Sequence, residues 1–208
     1  MIAVDLSKHT FKAPRYRSVV AEALAFFGGT PVHTLPPPEQ FSGAGVYALY
    51  YIGSLSFYAS VPGLTDKSCV HPIYVGKAVS PGWRTGRATN DSGANLYGRL
   101  DEHYRSIGYA ANLKATDFRC RFMLLKEEEG DLVVPCEAEL IRTHRPLWNS
   151  TISGFGIHTP GKGRFGQQPS EWDVLHPGRP WVSKLTGEVR RKAAILAKIR
   201  AVASATLS

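Results

Sequence analysis

Apolar and polar positions along this chain change period several times, and the changes divide it into elements. Residues 14–27 carry an amphipathic helical pattern; Pro14 fits a first helical turn and Gly28-Gly29 ends the run, so a helix is predicted there. Pro36, Pro37 and Pro38 follow as a stiff extended connector. Val46 to Ile52 is aromatic and β-branched between glycines, the signature of a strand. Ile73 to Val75 predicts a second, short strand between Pro72 and Gly76. Residues 54–70 are too long for a tight hairpin and predict an inserted connection with some helix. Residues 79–94, rich in Gly, Asn, Ser and Arg, read as a loop.

Leu96 to Ile107 predicts a helix with Leu96, Leu100, Tyr104 and Ile107 on one stripe. Phe118 to Leu125 alternates Phe118, Cys120 and Phe122 with Arg119 and Arg121, as a half-buried strand does. Pro135 opens a helix to about Arg145, which Pro146 stops. Residues 153–180 predict an irregular basic region anchored by Trp172 and Trp181. Glu188 to Val202 predicts a basic amphipathic helix, with Val189, Ala193, Leu196, Ile199 and Ala203 on one side. The order strand, strand, helix, strand, helix describes a small α/β (α+β) domain without internal repeats. Three segments follow: an N-terminal helix and connector over 1–43, a core over 44–150 with its insertion at about 54–70, and a basic loop and helix over 151–208.

The chain has 208 residues, of which 43% are hydrophobic, enough for one domain with a buried core. Its formal charge of +8 points to an anionic partner. Nucleic acid is the commonest such partner, with a membrane surface or a merely basic protein as alternatives. The charge is concentrated: residues 151–208 hold nine Lys/Arg against Glu171, Asp173 and Glu188, a balance of +6. A footprint of that kind favours nucleic acid. Cys69, Cys120 and Cys136 share no CxxC spacing, which argues against a disulfide framework and a zinc site and fits a reducing cytoplasm. The N-terminus lacks a signal peptide's long apolar run and no apolar run reaches membrane-spanning length, so no membrane partner is expected.

The chemistry lies in dispersed polar residues. Gly45-Val46-Tyr47 is followed by Tyr74-Val75-Gly76-Lys77, then Arg99-Leu100-x-x-His103, Glu137-Ala-x-Leu-Ile and Pro146-x-x-Asn149. Together they include what phosphodiester hydrolysis needs: phenols, cations, a histidine and a metal-binding carboxylate. In this order they resemble the GIY-YIG nuclease superfamily over roughly residues 44–150. Tyr51-Ile52-Gly53 spells YIG literally, but it would share a strand with Tyr47, where the family uses two neighbouring strands. Tyr51 reads as packing or solvent-edge filler, and Tyr74 as the second element. The long Tyr47 to Tyr74 separation resembles the type II restriction endonuclease branch. That likeness implies a three-stranded, mostly antiparallel sheet flanked by helices.

The resemblance also implies roles. Tyr47 is the candidate general base, although a free phenol near pKa 10 is a poor one at neutral pH unless nearby cations lower it. Tyr74, Lys77 and His103 are candidates to hydrogen-bond it or carry its proton onward, and His103 could itself be the immediate proton acceptor or donate to the phosphate. Arg99 and His103, four apart on a helix, share a face, and the arginine fork suits the scissile phosphate. Glu137 is the candidate ligand for a single divalent ion, Mg²⁺ with Mn²⁺ as an alternative. Glu139 lies about 200° further round the helix and cannot face the same site. Asn149 fixes backbone geometry or phosphate position, and none of the other histidines matches a family position.

The partners implied are double-stranded DNA, a second copy of the chain in a symmetric homodimer, and a cognate DNA methyltransferase as a functional counterpart. Two-fold symmetry implies a palindromic site. Arg84, Arg87, Arg119, Arg121, Lys162, Arg164 and Arg179 are the candidate DNA contacts. Two other readings fit the same residues: a nuclease of this superfamily acting on branched or damaged DNA, and a non-catalytic DNA-binding module of the same fold.

Overall fold

A computed structural model of the chain describes residues 4–79, 96–161 and 163–206. Its centre is a four-stranded antiparallel sheet: β1 (His33–Thr34), β2 (Gly45–Tyr51), β3 (Tyr74–Ala78) and β4 (Phe118–Leu124) in the order β1-β4-β2-β3. The sequence predicts three strands. The fourth, β1, is two residues long and shows no alternation; its pairing of His33 with Cys120 and Thr34 with Arg119 comes from tertiary contact alone.

Strand β2 is buried along its whole length, so both of its faces carry core residues. Tyr47, Leu49 and Tyr51 face one cluster together with Leu96, Leu100 and Ile107 of α3 (Leu96–Tyr109). Val46, Ala48 and Tyr50 face a second cluster with Phe27 of α1 (Tyr16–Gly29) and Val133, Cys136 and Leu140 of α4 (Val133–His144). The sheet is thus the middle layer between α1 and α4 on one face and α3 on the other. In α3 the buried stripe is Leu96, Leu100, His103 and Ile107, while Tyr104 is 41% exposed. The i, i+4, i+7, i+11 spacing therefore turns the histidine inward in place of the expected tyrosine.

The inserted connection contains a single helical turn, α2 (Ser56–Ala59), whose Tyr58 is buried. The short α5 (Leu147–Ser150) covers the open edge of β3: Trp148 N–H donates to the Ile73 carbonyl at 2.9 Å. Residues after 150 contribute α6 (Glu171–Leu175) and α7 (Lys192–Thr206). Phe155, Trp172, Leu175, Ile195, Ile199 and Ala203 enter the same cluster as Tyr47. The last helix starts four residues later than expected, so Val189 precedes it and is exposed, while Ile195 takes a place on its buried side. Among the described residues no helix is long and apolar enough to cross a membrane, and the three cysteines are free and buried.

Candidate active site

The register of β2 and β3 sets Tyr47 opposite Gly76. That pairing explains the glycine: a Cβ at position 76 would lie 2.4 Å from the Tyr47 hydroxyl oxygen and 2.5 Å from Cζ. The Tyr47 ring lies across the space a side chain would fill. Tyr74 faces the same side, its ring centroid 6.3 Å from that of Tyr47. Tyr51, the literal YIG tyrosine, packs on Phe118 and Tyr58 in the core, and its hydroxyl accepts from Leu55 N–H at 3.1 Å.

From α3, His103 reaches under the sheet and places Nε2 2.6 Å from the Tyr47 hydroxyl. Burial pushes the Tyr47 phenol well above its usual range, Tyr74 and Glu137 add to the rise, and Arg99 opposes it. Expectation and structure differ here, because loss of water outweighs the nearby cation. Burial also holds the His103 imidazole well below its ordinary value, with Arg99, Arg179 and His158 acting in the same direction. The resting pair is a neutral phenol against a neutral imidazole. Tyr74 is raised as well, again chiefly by burial.

One cation, Arg99, lies near the pair, and a second, Lys77, leaves β3 on the α4 side of the sheet, in register with Val46. Arg99 extends from α3 with Nη1 2.5 Å from Glu102 Oε2 and 2.6 Å from His158 Nε2. Lys77 on β3 is ion-paired with Glu137 on α4. The Glu137 side chain is 17% exposed, next to the buried Cys136 on the sheet-facing side of its helix. Glu139 turns away and pairs with Arg142. Among the described residues no group of three or more His, Cys, Asp or Glu could hold a metal. A lone, half-buried carboxylate instead fits Mg²⁺, which keeps several waters and takes its remaining ligands from substrate phosphates.

Asn149 binds the backbone of β3. Its Oδ1 accepts from Val75 N–H at 2.8 Å and its Nδ2 donates to the Val75 carbonyl at 2.8 Å. The side-chain amide thus copies a neighbouring strand at the edge of β3 and fixes the backbone between Tyr74 and Gly76.

The expected DNA contacts divide. Arg164 is exposed. Arg119 is half-buried, with Nη1 on the carbonyls of Thr116 and Phe118 at 3.0 and 2.8 Å. Arg121 caps the end of α1 through the carbonyls of Gly28 and Thr30. Arg84, Arg87 and Lys162 lie outside the described residues. Arg179 is a correction: it is 3% exposed, stacked 4.1 Å from the centroid of the Trp172 ring, and has no surface to offer DNA.

Three residues at the site escape a reading of the sequence. Phe155 stacks on His103 with ring centroids 4.6 Å apart and 19° between planes. The Gly156 backbone lies against Tyr74, since a Cβ there would stand 2.6 Å from the tyrosine hydroxyl. His158 meets Arg99. All three sit in a stretch with no period, and their only local signal is an aromatic between two glycines.

Residues 39–203 match the family model described as the Eco29kI GIY-YIG domain, a group of type II restriction endonucleases. No curated protein matches the chain.

Proposed function

The chain belongs to the Eco29kI GIY-YIG family of type II restriction endonucleases, and on that premise we propose that it hydrolyses both strands of duplex DNA at a short palindromic site. The observation that carries the chemistry is the 2.6 Å contact between Tyr47 and His103, in reach of the Arg99 and Glu137 charges. A neutral phenol can act as a base if it loses one proton while gaining another. In the Nδ1–H tautomer of His103, the Tyr47 O–H donates to Nε2 and leaves a phenolic lone pair for a water hydrogen. As the water attacks phosphorus, its proton passes to the Tyr47 oxygen and the phenol proton to His103, while the bond from phosphorus to one ester oxygen breaks and that alkoxide takes a proton from solvent. No phenolate has to form in the buried site, which agrees with the upward shift of Tyr47.

Arg99 grips the non-bridging oxygens of the phosphate, exchanging Glu102 or His158 for them. Lys77 aims the Glu137 carboxylate and adds positive charge beside the developing phosphorane. Glu137 would hold a divalent ion, Mg²⁺ or Mn²⁺, which would supply positive charge to the phosphate and to the leaving oxygen. Asn149 keeps Tyr74 and Gly76 in register with Tyr47. One site per chain and two strands to cut imply a two-fold homodimer on a palindrome, and a cell carrying such an enzyme needs a methyltransferase that protects the same site.

Incubating the protein with phage DNA and Mg²⁺ and sequencing the ends tests this reading. Discrete fragments sharing one terminal sequence support it. Intact DNA, or cutting only of branched substrates, contradicts it.

A further inference from the structure

Arg179 lies in the core, and everything it binds leads back to the site. Its Nη1 donates to the Gly154 carbonyl at 3.0 Å, and its Nη2 donates to the Phe155 carbonyl. Asp173 Oδ1 stands 3.5 Å from the guanidinium, and the Trp172 ring covers one face. The same turn is held from its start by Ser153 N–H on Glu171 Oε2 at 3.1 Å, and Glu171 in turn pairs with Lys198 of α7. Packing is tight here: Gly154 has φ +105°, and a Cβ on it would lie 2.1 Å from Ser170.

From that anchorage residues 155–158 touch three candidate catalytic side chains: Phe155 on His103, Gly156 on Tyr74 and His158 on Arg99. We propose that Arg179 is a positioning residue for the reaction, its two-pronged hold on the carbonyls of 154 and 155 fixing the 153–158 turn that orients His103, Tyr74 and Arg99. A buried ion pair is a poor source of stability, because desolvation of both charges offsets their attraction. Burial indeed pushes the Asp173 carboxyl up and the Arg179 guanidinium down. What a planar fork supplies is fixed geometry at two acceptors, which a lysine point charge cannot reproduce. The segment after residue 150 therefore completes the active site from behind.

The inference rests on the nuclease reading, and the test separates the two. Arg179→Lys is compared with wild type on the duplex site mapped from digested phage DNA, by single-turnover cleavage at saturating enzyme. Affinity for that duplex is measured with Glu137→Gln added to each, and His103 imidazole resonances are recorded by NMR. The expected result is a rate loss of about 10- to 100-fold, as for a misaligned site, with affinity unchanged and the His103 resonances displaced. Arg179→Gln, which keeps a planar donor but loses the two-pronged hold, is expected to give the same pattern and serves if Arg179→Lys does not fold. A wild-type rate in either folded variant, unmoved His103 resonances, or an affinity loss with the saturated rate intact overturns the positioning role. A wild-type protein that cuts no duplex overturns the nuclease reading instead, and the His103 resonances still report on Arg179.

Discussion

Tyr47 and His103, 56 positions apart in the chain, meet at 2.6 Å between hydroxyl oxygen and Nε2. Strand β2 presents the phenol, α3 presents the imidazole, and burial keeps both neutral. A pair in that state can pass a proton without creating charge before the phosphate arrives.

Gly76 makes room for the phenol, so Gly76→Ala forces Tyr47 off His103. Overpacking of this kind costs about 1–3 kcal/mol, and the shift of the hydroxyl lowers the cleavage rate by about 100-fold. Urea unfolding and single-turnover cleavage measure the two effects. An alanine variant with wild-type stability and rate would show that the strand pair tolerates a side chain under the ring.

Glu137 and Glu139 lie on opposite sides of α4, one against Lys77 and the other against Arg142. Glu137→Gln is expected to lower cleavage by at least about 10²-fold and to abolish the dependence of DNA binding on Mg²⁺. Glu139→Gln is expected to cut normally. Metal-dependent cleavage surviving in Glu137→Gln but lost in Glu139→Gln would reverse the assignment.

His176 is fully buried, with Nε2 2.5 Å from the Tyr58 hydroxyl and Nδ1 2.9 Å from Asn112 Oδ1. Burial, aided by Lys192 and Arg179, pushes its folded pKa down to about 3. The unfolded value is about 6.5. Below that pH the unfolded chain binds the extra proton, so stability is complete above about pH 6.5 and is lost as pH falls toward about 3. His103 acts in the same direction. The unfolding free energy measured in urea is expected to fall between neutral pH and about pH 4.5, by an amount on the order of 2 kcal/mol from His176 alone. His176→Gln is expected to be less stable at pH 7 and less sensitive to acid. An unchanged acid slope in that variant would exclude His176 as a source.

Much of the candidate site is legible in the sequence because short motifs mark it: Tyr47 and Tyr74 each two residues from a glycine, Arg99 and His103 four apart, Glu137 one helix before Asn149. Strand β4 and helix α3 are legible because their periodicity is long enough to register. Strand β1 is not, since two residues carry no period. Arg179 shows why composition misleads: in a basic, glycine-rich segment a cation that anchors a turn has the same letter as one that meets DNA. Only the placement of Trp172 and Asp173 around it tells them apart. His158 has no motif, and it becomes visible only when the chain after residue 150 folds back onto Arg99.

In the proposed reaction Tyr47 receives the proton of the attacking water and passes its own to His103. Single-turnover cleavage by Tyr47→Phe, at saturating enzyme and Mg²⁺, measures it most directly, since the substitution removes one oxygen and leaves the ring in place. The rate is expected to fall by about 10²–10⁴-fold with duplex affinity retained. Cleavage at the wild-type rate would contradict it.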